Sequence, residues 1–286
     1  MNTHIQKKFN QKFNIFLSKH KLRSILIAIS GGQDSICLIN LIEDFQEKYN
    51  KKLKITYIYI DHQWTKRSQQ QIKHLINIIK KTKKKFIIHQ INQSVNSELK
   101  ARELRYNILI KYSIKHHYRH IITAHTQTDK TETFLQHIIR GTSLNGLTSF
   151  NEYRKFNNTI HLYRPLLEFK RTEINWLCRK LYLPIWSDIT NYNYTINRNR
   201  LRNELIPYIH KYFNYNIDKK INDFLINAKL ENEYITQNAI KLYLYSRHKI
   251  NIALNYNLIY KQHIALQIRT LQIFFFIIQN TVLTYN

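Results

Sequence analysis

The sequence predicts an α/β fold, a parallel sheet with helices on both faces, followed by a small, mainly helical C-terminal region. Three observations predict it: short apolar runs recur through the first half of the chain, amphipathic segments separate them, and the strand signal fades after about residue 165. The runs at 25–29 and 55–60 have the near-continuous apolar character of strands buried on both faces. Shorter runs follow at 86–88 and 121–124, and the segments around 36–49, 66–82 and 97–115 are long enough for crossover helices. In such a sheet ligands bind beyond the carboxyl ends of the strands, so the residues just after each run are where chemistry is expected. Farther along, 168–183 and 198–210 read as helices, with Pro184 and Pro207 marking breaks. A boundary near residue 211 divides a domain over 1–210 from a basic, Tyr- and Asn-rich helical one over 211–286 that contains no glycine.

Charge and composition narrow the partners. The chain of 286 residues carries 45 Lys+Arg against 18 Asp+Glu, a formal net charge of +27, so an acidic partner is expected. Part of that excess reflects codon usage rich in A and T, which also accounts for 20 Tyr beside only 4 Gly and 3 Pro. Lys-rich stretches such as 80–85 therefore read first as solvated helix ends, and the Tyr-bearing region from 211 onward is the better candidate for gripping RNA. The two cysteines, Cys37 and Cys178, form no CxxC pair, which argues against a disulfide scaffold, a zinc ribbon or a cysteine-held iron–sulfur cluster and fits a reducing compartment. The N-terminus lacks the apolar core of a secretory signal, and the apolar run at 273–278 is far short of the ~20 residues of a membrane span, so a soluble protein is expected.

The first apolar run leads directly into Ser30, Gly31, Gly32, Gln33, Asp34 and Ser35, after which a helical pattern begins at once. Adjacent glycines let backbone N–H groups approach an anion, the serine hydroxyls add donors, and the helix start supplies partial positive charge. No lysine follows the glycines, so this is not a Walker A loop. Asp34 ends the loop, where a carboxylate beside phosphates calls for a bridging cation; the plainer reading is a helix N-cap. Asp129 and Glu132 stand three apart at a helix start and share one face, where they can hold Mg²⁺ or an ammonium group, or simply complement the helix dipole.

The segment 30–35 resembles the SGGxDS pyrophosphate loop of the N-type ATP pyrophosphatases, the PP-loop family, with its Rossmann-like sheet. Further motifs in the correct order make the chain similar to the tRNA(Ile)-lysidine synthetases, specifically to versions encoded in algal plastids or bacteria. They are Asp61-His62 after the second run, with Gln63 where the family has glycine; Ala101-Arg102 through Arg105-Tyr106; and His125 through Asp129 to Glu132-Thr133. Arg140-Gly141 with Gly146-Leu147, Arg164-Pro165-Leu166-Leu167, Trp186-Ser187-Asp188 with Asn191, and Arg198-Asn199 with Arg202 complete the set. Thr128 stands where the family carries the first Asp of a pair.

The resemblance implies an enzyme that spends ATP to AMP and pyrophosphate, with Mg²⁺, to adenylate carbon 2 of the wobble cytidine in a CAU-anticodon isoleucine tRNA and then joins free L-lysine there. On that reading Asp34, His125, Asp129 and Arg198 are catalytic. Residues Ser30, Gly31, Gly32, Gln33, Asp34, Ser35, Asp61 and His62 bind ATP, and Asp34 with Asp129 holds the metal. Asp129, Glu132 and Arg105 bind lysine, while Arg140 and Arg202 contact tRNA. A plastid stroma or bacterial cytoplasm and a homodimer are also implied. Three rivals predict different outcomes: a tRNA thiolase needs cysteines that Cys37 and Cys178 do not supply, an amidotransferase-like enzyme would act without RNA, and a tRNA-binding protein that has lost catalysis would follow from Thr128 and the high charge.

Overall fold

A computed structural model of the chain describes residues 3–61, 68–91, 98–186 and 194–279. The four apolar runs form parallel strands β1 (Ser24–Ile29), β2 (Lys54–Asp61), β3 (Lys85–Gln90) and β4 (His120–Thr123). Two short strands, β5 (Tyr153–Lys155) and β6 (His161–Tyr163), extend the sheet to the order β3-β2-β1-β4-β6-β5, with β5 antiparallel at the edge. Register pairs Leu26 with Thr56 on one side and with Ile121 on the other, so β1 lies at the centre.

Alternation along the strands explains why these runs are apolar throughout. Ile25, Ile27 and Ile29 of β1 and Tyr57 and Tyr59 of β2 enter one core, whereas Leu26, Ile58 and Ile60 enter the other. The first core is covered by α1 (His4–Lys19), α2 (Gln33–Tyr49), α3 (Ser68–Thr82) and, through Ile174, Leu177 and Cys178, α7 (Arg171–Lys180). Leu109 of α4 (Glu98–Lys115) enters the second. Helix α1 lies outside the expected elements. It buries Ile5, Phe9, Phe13 and Leu17 at four-residue spacing, and Thr3 and Gln6 close a reciprocal capping box at 3.2 and 2.9 Å.

Helix α5 (Gln127–Arg140) follows β4, and a single turn, α6 (Leu144–Leu147), precedes β5. The expected break at Pro207 is not one. Helix α8 (Asn197–Arg200) runs through a π-helical turn over Leu201–Leu205 into α9 (Ile206–Tyr212), with helical backbone angles at both junctions. The wide turn ends just before the proline, relieving the clash and missing N–H bond that proline brings to a regular helix. The remaining helices are α10 (Ile217–Ser246), α11 (Tyr256–Tyr260) and α12 (Ile264–Gln279). No helix among the described residues is long and apolar enough to cross a membrane.

The chain divides into two compact units, Met1–Leu135 with Phe150–Asp218, and Gln136–Ser149 with Lys219–Asn286. In the second, Asn232 of α10 accepts from Arg269 of α12 at 3.0 Å and donates to the hydroxyl of Thr148 at 3.3 Å, tying the inserted segment to the long helix.

Candidate active site

At the carboxyl end of β1 the chain turns sharply into α2. Gly31 has φ +77°, in the left-handed region, and a Cβ there would stand 3.0 Å from Nε2 of Gln71, so glycine is required both by conformation and by close approach. Gln71, on α3, donates that Nε2 to the Ser30 carbonyl at 2.7 Å and accepts from the Tyr59 hydroxyl at 3.2 Å. The Ser35 hydroxyl receives the Ser30 N–H at 3.0 Å and lies 2.9 Å from the Ser30 hydroxyl, closing the loop on itself. Gly32 is the N-cap of α2 and supplies no side chain to its first N–H groups. The result is a 17-residue helix whose positive end is left open to an anion.

Asp34 sits in the first turn of α2 with Oδ1 buried and without a hydrogen-bond partner, and Gln33 Nε2 is in the same position. Burial pushes the Asp34 carboxyl up to about 6; Arg171 and Arg202 pull it down, while Asp129 and Glu132 add to the rise. An acidic group held this way, with an orphaned oxygen, fits a divalent cation that would restore its charge. Among the described residues no three His, Cys, Asp or Glu side chains converge as a metal site, so a cation here would take most of its ligands from phosphate and water, as Mg²⁺ commonly does.

The start of α5 is arranged differently. Asp129 Oδ2 accepts from the Thr126 N–H at 2.8 Å and its hydroxyl at 3.1 Å, a helix-capping role. Asp129 Oδ1 accepts from Nη2 of Arg198 at 2.8 Å and of Arg202 at 3.2 Å. Glu132 is fully buried, and its oxygens receive Arg198 Nε at 2.7 Å, Arg202 Nε at 2.5 Å and Arg202 Nη2 at 2.9 Å. Burial alone would raise the Asp129 carboxyl, but Arg198, His125, Arg202 and the Thr126 N–H hold it well below the usual carboxylate range. The two residues expected to meet lysine or metal are thus occupied by the two arginines expected to meet substrate.

His125 follows β4, with Nδ1 2.9 Å from the Thr123 hydroxyl and its ring edge-on to Phe150 at 5.5 Å. Burial lowers it to about 3, helped by Arg164, Arg198 and Arg102 and opposed by Asp129, so the imidazole is neutral at physiological pH. Arg164 is itself buried, 4.4 Å over the Phe150 ring, and bonds the Asn151 carbonyl. Arg105, on α4, lies in the electrostatic neighbourhood of Arg198 and Tyr59. Asp61 is buried at the end of β2. Thr128 occupies the second position of α5, partly buried. Arg140 is exposed at the end of α5, in the second unit. His62, Gln63, Trp64, Ser187, Asp188 and Asn191 lie outside the described residues.

Sequence reasoning missed two residues that shape the site. Gln71 braces the loop from α3, and Arg171 brings positive charge to Asp34 from the first position of α7. Neither sits in a motif; only the fold brings them there.

A family model described as a PP-loop domain matches residues 1–209. The chain is 48% identical over 274 residues to the chloroplastic tRNA(Ile)-lysidine synthase of Gracilaria tenuistipitata var. liui, covering 96% of this chain and 86% of that protein. It is 39% identical over 272 residues to the chloroplastic tRNA(Ile)-lysidine synthase of Pyropia yezoensis, covering 93% and 82%. With the tRNA(Ile)-lysidine synthase of a Nostoc strain it shares 38% over 220 residues, covering 77% and 64%. Among solved structures, the U34-tRNA thiolase NcsA from Methanococcus maripaludis, with its 4Fe-4S cluster, matches with a TM-score of 0.61 at 16% identity over 77% of this chain and 78% of that one, a likeness of fold alone.

Proposed function

The chain belongs to the tRNA(Ile)-lysidine synthase family, built on the PP-loop domain, and from that premise we propose that it is an ATP-dependent ligase that joins free lysine to the wobble cytidine of a CAU-anticodon isoleucine tRNA. The observation that carries this reading is the 48% identity across 96% of the chain, and the open helix start at residues 30–35 supplies the chemistry it needs. The carbonyl oxygen on carbon 2 of the cytosine attacks the α-phosphate of ATP, and pyrophosphate departs into the Ser30, Gly31, Gly32, Gln33 and Ser35 cradle. The ε-amine of lysine then attacks the activated ring carbon, AMP leaves, and the modified base pairs with A instead of G. No side-chain nucleophile is required.

Each site residue has a proposed part. The α2 N–H groups and the serine hydroxyls stabilise the leaving pyrophosphate. Asp34, with its unpartnered buried oxygen, is the proposed Mg²⁺ ligand, and the ion would neutralise phosphate charge. His125, neutral, is proposed to hydrogen-bond a phosphate oxygen. Arg198 and Arg202 carry the positive charge that ATP phosphates would draw onto themselves, and Asp129 and Glu132, relieved of those partners, become available to lysine or, at Asp129, to the metal. Arg105 is proposed for lysine, Asp61 and His62 for the adenine side. Residues 1–210 are the proposed catalytic domain and 211–286, with Arg140, the proposed tRNA grip. Chloroplastic and cyanobacterial relatives support a plastid stroma, or else a bacterial cytoplasm.

The test combines the protein with unmodified CAU-anticodon isoleucine tRNA, Mg²⁺-ATP and radiolabelled lysine. Label that stays acid-precipitable after mild alkaline deacylation, and disappears when the wobble cytidine is replaced, is the expected result. Tight tRNA binding without label would instead support the binding-only reading, with Thr128 as its cause; sulfur incorporation would revive the thiolase.

A further inference from the structure

On the second face of the sheet, guanidiniums and rings alternate toward the β5 edge. Arg102 and Tyr106 are four apart on α4 and share a face, with the Arg102 guanidinium 5.9 Å from the Tyr106 ring centroid. The Tyr106 ring meets Phe156 at 5.3 Å, and the Arg154 guanidinium lies 5.2 Å over Phe156. Arg154 pairs with Leu162, which enters the second core, and Tyr106 and Phe156 pack against that core. The hairpin carrying Phe156 is pinned: the Phe156 N–H donates to the Ile160 carbonyl at 3.0 Å, and Asn157 Oδ1 accepts from the Thr159 and Ile160 N–H groups at 3.0 and 2.7 Å. Two residues beyond Leu162, Arg164 continues the row, 4.4 Å over Phe150, whose ring in turn meets His125 at 5.5 Å. The row thus leads from the β5–β6 hairpin to His125.

These arginines differ from Arg198 and Arg202 in having no acid. Among the described residues, none of Arg102, Arg154 and Arg164 has a carboxylate within ion-pair distance. Arg164 is 1% exposed and bonds the Asn151 carbonyl, but its Nε is buried without a partner. Burial lowers the Arg164 guanidinium, Tyr106 opposes this, and Arg102 and Arg154 lower it further, so the three charges bear on one another. A buried charge calls for an opposite one nearby, and here the chain does not provide it.

We propose that Arg102, Tyr106, Phe156 and Arg154 form the surface that grips the unpaired anticodon-loop nucleotides beside the wobble cytidine. The proposal rests on the ligase reading above and adds to it the place where the RNA strand lies. RNA is the occupant whose chemistry matches the whole row. A guanidinium plane stacks on a base or forks onto a phosphate, and aromatic rings accept bases of any identity. The carboxylates of an acidic peptide would answer the charges but make no use of Tyr106 and Phe156. Arg154 is exposed and Arg102, Tyr106 and Phe156 are half-buried, so each keeps surface for a ligand. Arg164, beneath them, contributes charge and not contact. The direction of the row agrees as well: a base turned out of its stack toward His125 would leave its neighbours over these four side chains. Cation–π packing that merely ties β5 to α4 is the plainer role, and it predicts no effect on RNA.

The test measures affinity for a CAU anticodon stem–loop RNA over a range of salt, using the full-length protein. Arg102→Gln combined with Arg154→Gln should weaken binding about tenfold and make the slope of log affinity against log salt shallower by about 1.4, two phosphate contacts at about 0.7 each on a single strand. The same two positions changed to Lys should keep the slope yet lose several-fold in affinity, because an ammonium does not stack. Lys51→Gln combined with Lys52→Gln removes equal charge from an exposed turn before β2, on the far side of the sheet from β5, and should change affinity less than about twofold. Equal losses in the two Gln pairs, or none in the arginine pair, would overturn the surface. A 4-thiouridine at the U of the CAU anticodon should photocross-link to a peptide containing Tyr106 or Phe156, and a cross-link confined to residues 211–286 would also overturn it. Lysine labelling of the RNA keeps the two readings apart. Row-dependent RNA binding without label from wild type would defeat the ligase reading and leave the surface standing; labelled RNA with affinity indifferent to the arginine pair would do the reverse.

Discussion

At the β1–α2 loop, Asp34 Oδ1 and Gln33 Nε2 are buried and left without partners, and no side chain caps the start of α2. At the start of α5, each of the four carboxylate oxygens of Asp129 and Glu132 has at least one donor. One half of the site is held in readiness for charge, and the other has satisfied its charge from within. Both contain acids in a motif, so their difference lies in the partners that the fold delivers. Buried unpaired groups cost stability and mark places where a ligand is expected. A buried ion-pair network, by contrast, contributes little net stability, yet is costly to break.

The largest effect is expected from breaking the satisfied half. Arg202→Ala removes three of the bonds to Asp129 and Glu132 and leaves Glu132, fully buried, short of its compensating charge. The expected loss is about 3–5 kcal/mol of unfolding free energy by denaturant titration. An unchanged midpoint would mean the network is open to solvent. The other half should respond in the opposite sense. Holding a carboxyl at about 6 instead of 3.8 costs roughly 2–3 kcal/mol at neutral pH, so Asp34→Asn should stabilise the protein by up to about that much. The sign follows from linkage. A raised acid binds protons more tightly when folded, so its penalty grows as pH rises from 3.8 to about 6, and the gain from Asp34→Asn should be absent near pH 4 and full above pH 6. A variant less stable than wild type at pH 7 would contradict the account of Asp34.

A smaller loss is expected at the loop backbone. Gly31→Ala puts a Cβ at φ +77° against Gln71, costing about 1–2 kcal/mol, and should weaken nucleotide binding as Gln71 is pushed off the Ser30 carbonyl. Melting and titration on one sample check both. An effect confined to acid pH lies at the far end of the sheet. His120, at the start of β4, is pushed down to about 4 by burial and by His20, His161 and Arg119, and both of its ring nitrogens are buried without partners. Its depressed value favours the folded state above pH 6.5, and that contribution fades as pH falls toward 4. His120→Phe should flatten acid unfolding across that window; an unaltered acid limb would exclude His120 as a cause.

The same contrast shows what the sequence could reveal. Strands β1, β2 and β4 were legible because burial on both faces makes each one a continuous apolar run, whereas β3, at the sheet edge and only half-buried at Phe86 and Ile87, was legible from its short apolar run alone. β5 and β6 were not, because three-residue strands such as Tyr153-Arg154-Lys155, exposed along its length, carry no such pattern. α1 was legible in principle, from Ile5, Phe9, Phe13 and Leu17 at four-residue spacing. The loop over 30–35 is local chemistry, so residues and function coincide in one stretch. The arginine pairing is not, since Arg198 and Arg202 reach Glu132 across 66 and 70 residues, and no local pattern states which acid a distant arginine will meet. Pro207 misled for a related reason. A break and a π-helical turn answer the same steric problem, and packing decides between them.

The measurement that most directly tests the contrast is AMP release from Mg²⁺-ATP, with and without CAU-anticodon isoleucine tRNA, in wild type and in Asp34→Asn, alongside tRNA affinity for both. The account predicts tRNA-dependent AMP and pyrophosphate from wild type, none from Asp34→Asn, and tRNA binding within a few-fold. Undiminished AMP release from Asp34→Asn would show that the unpartnered acid of the loop is not where ATP is split.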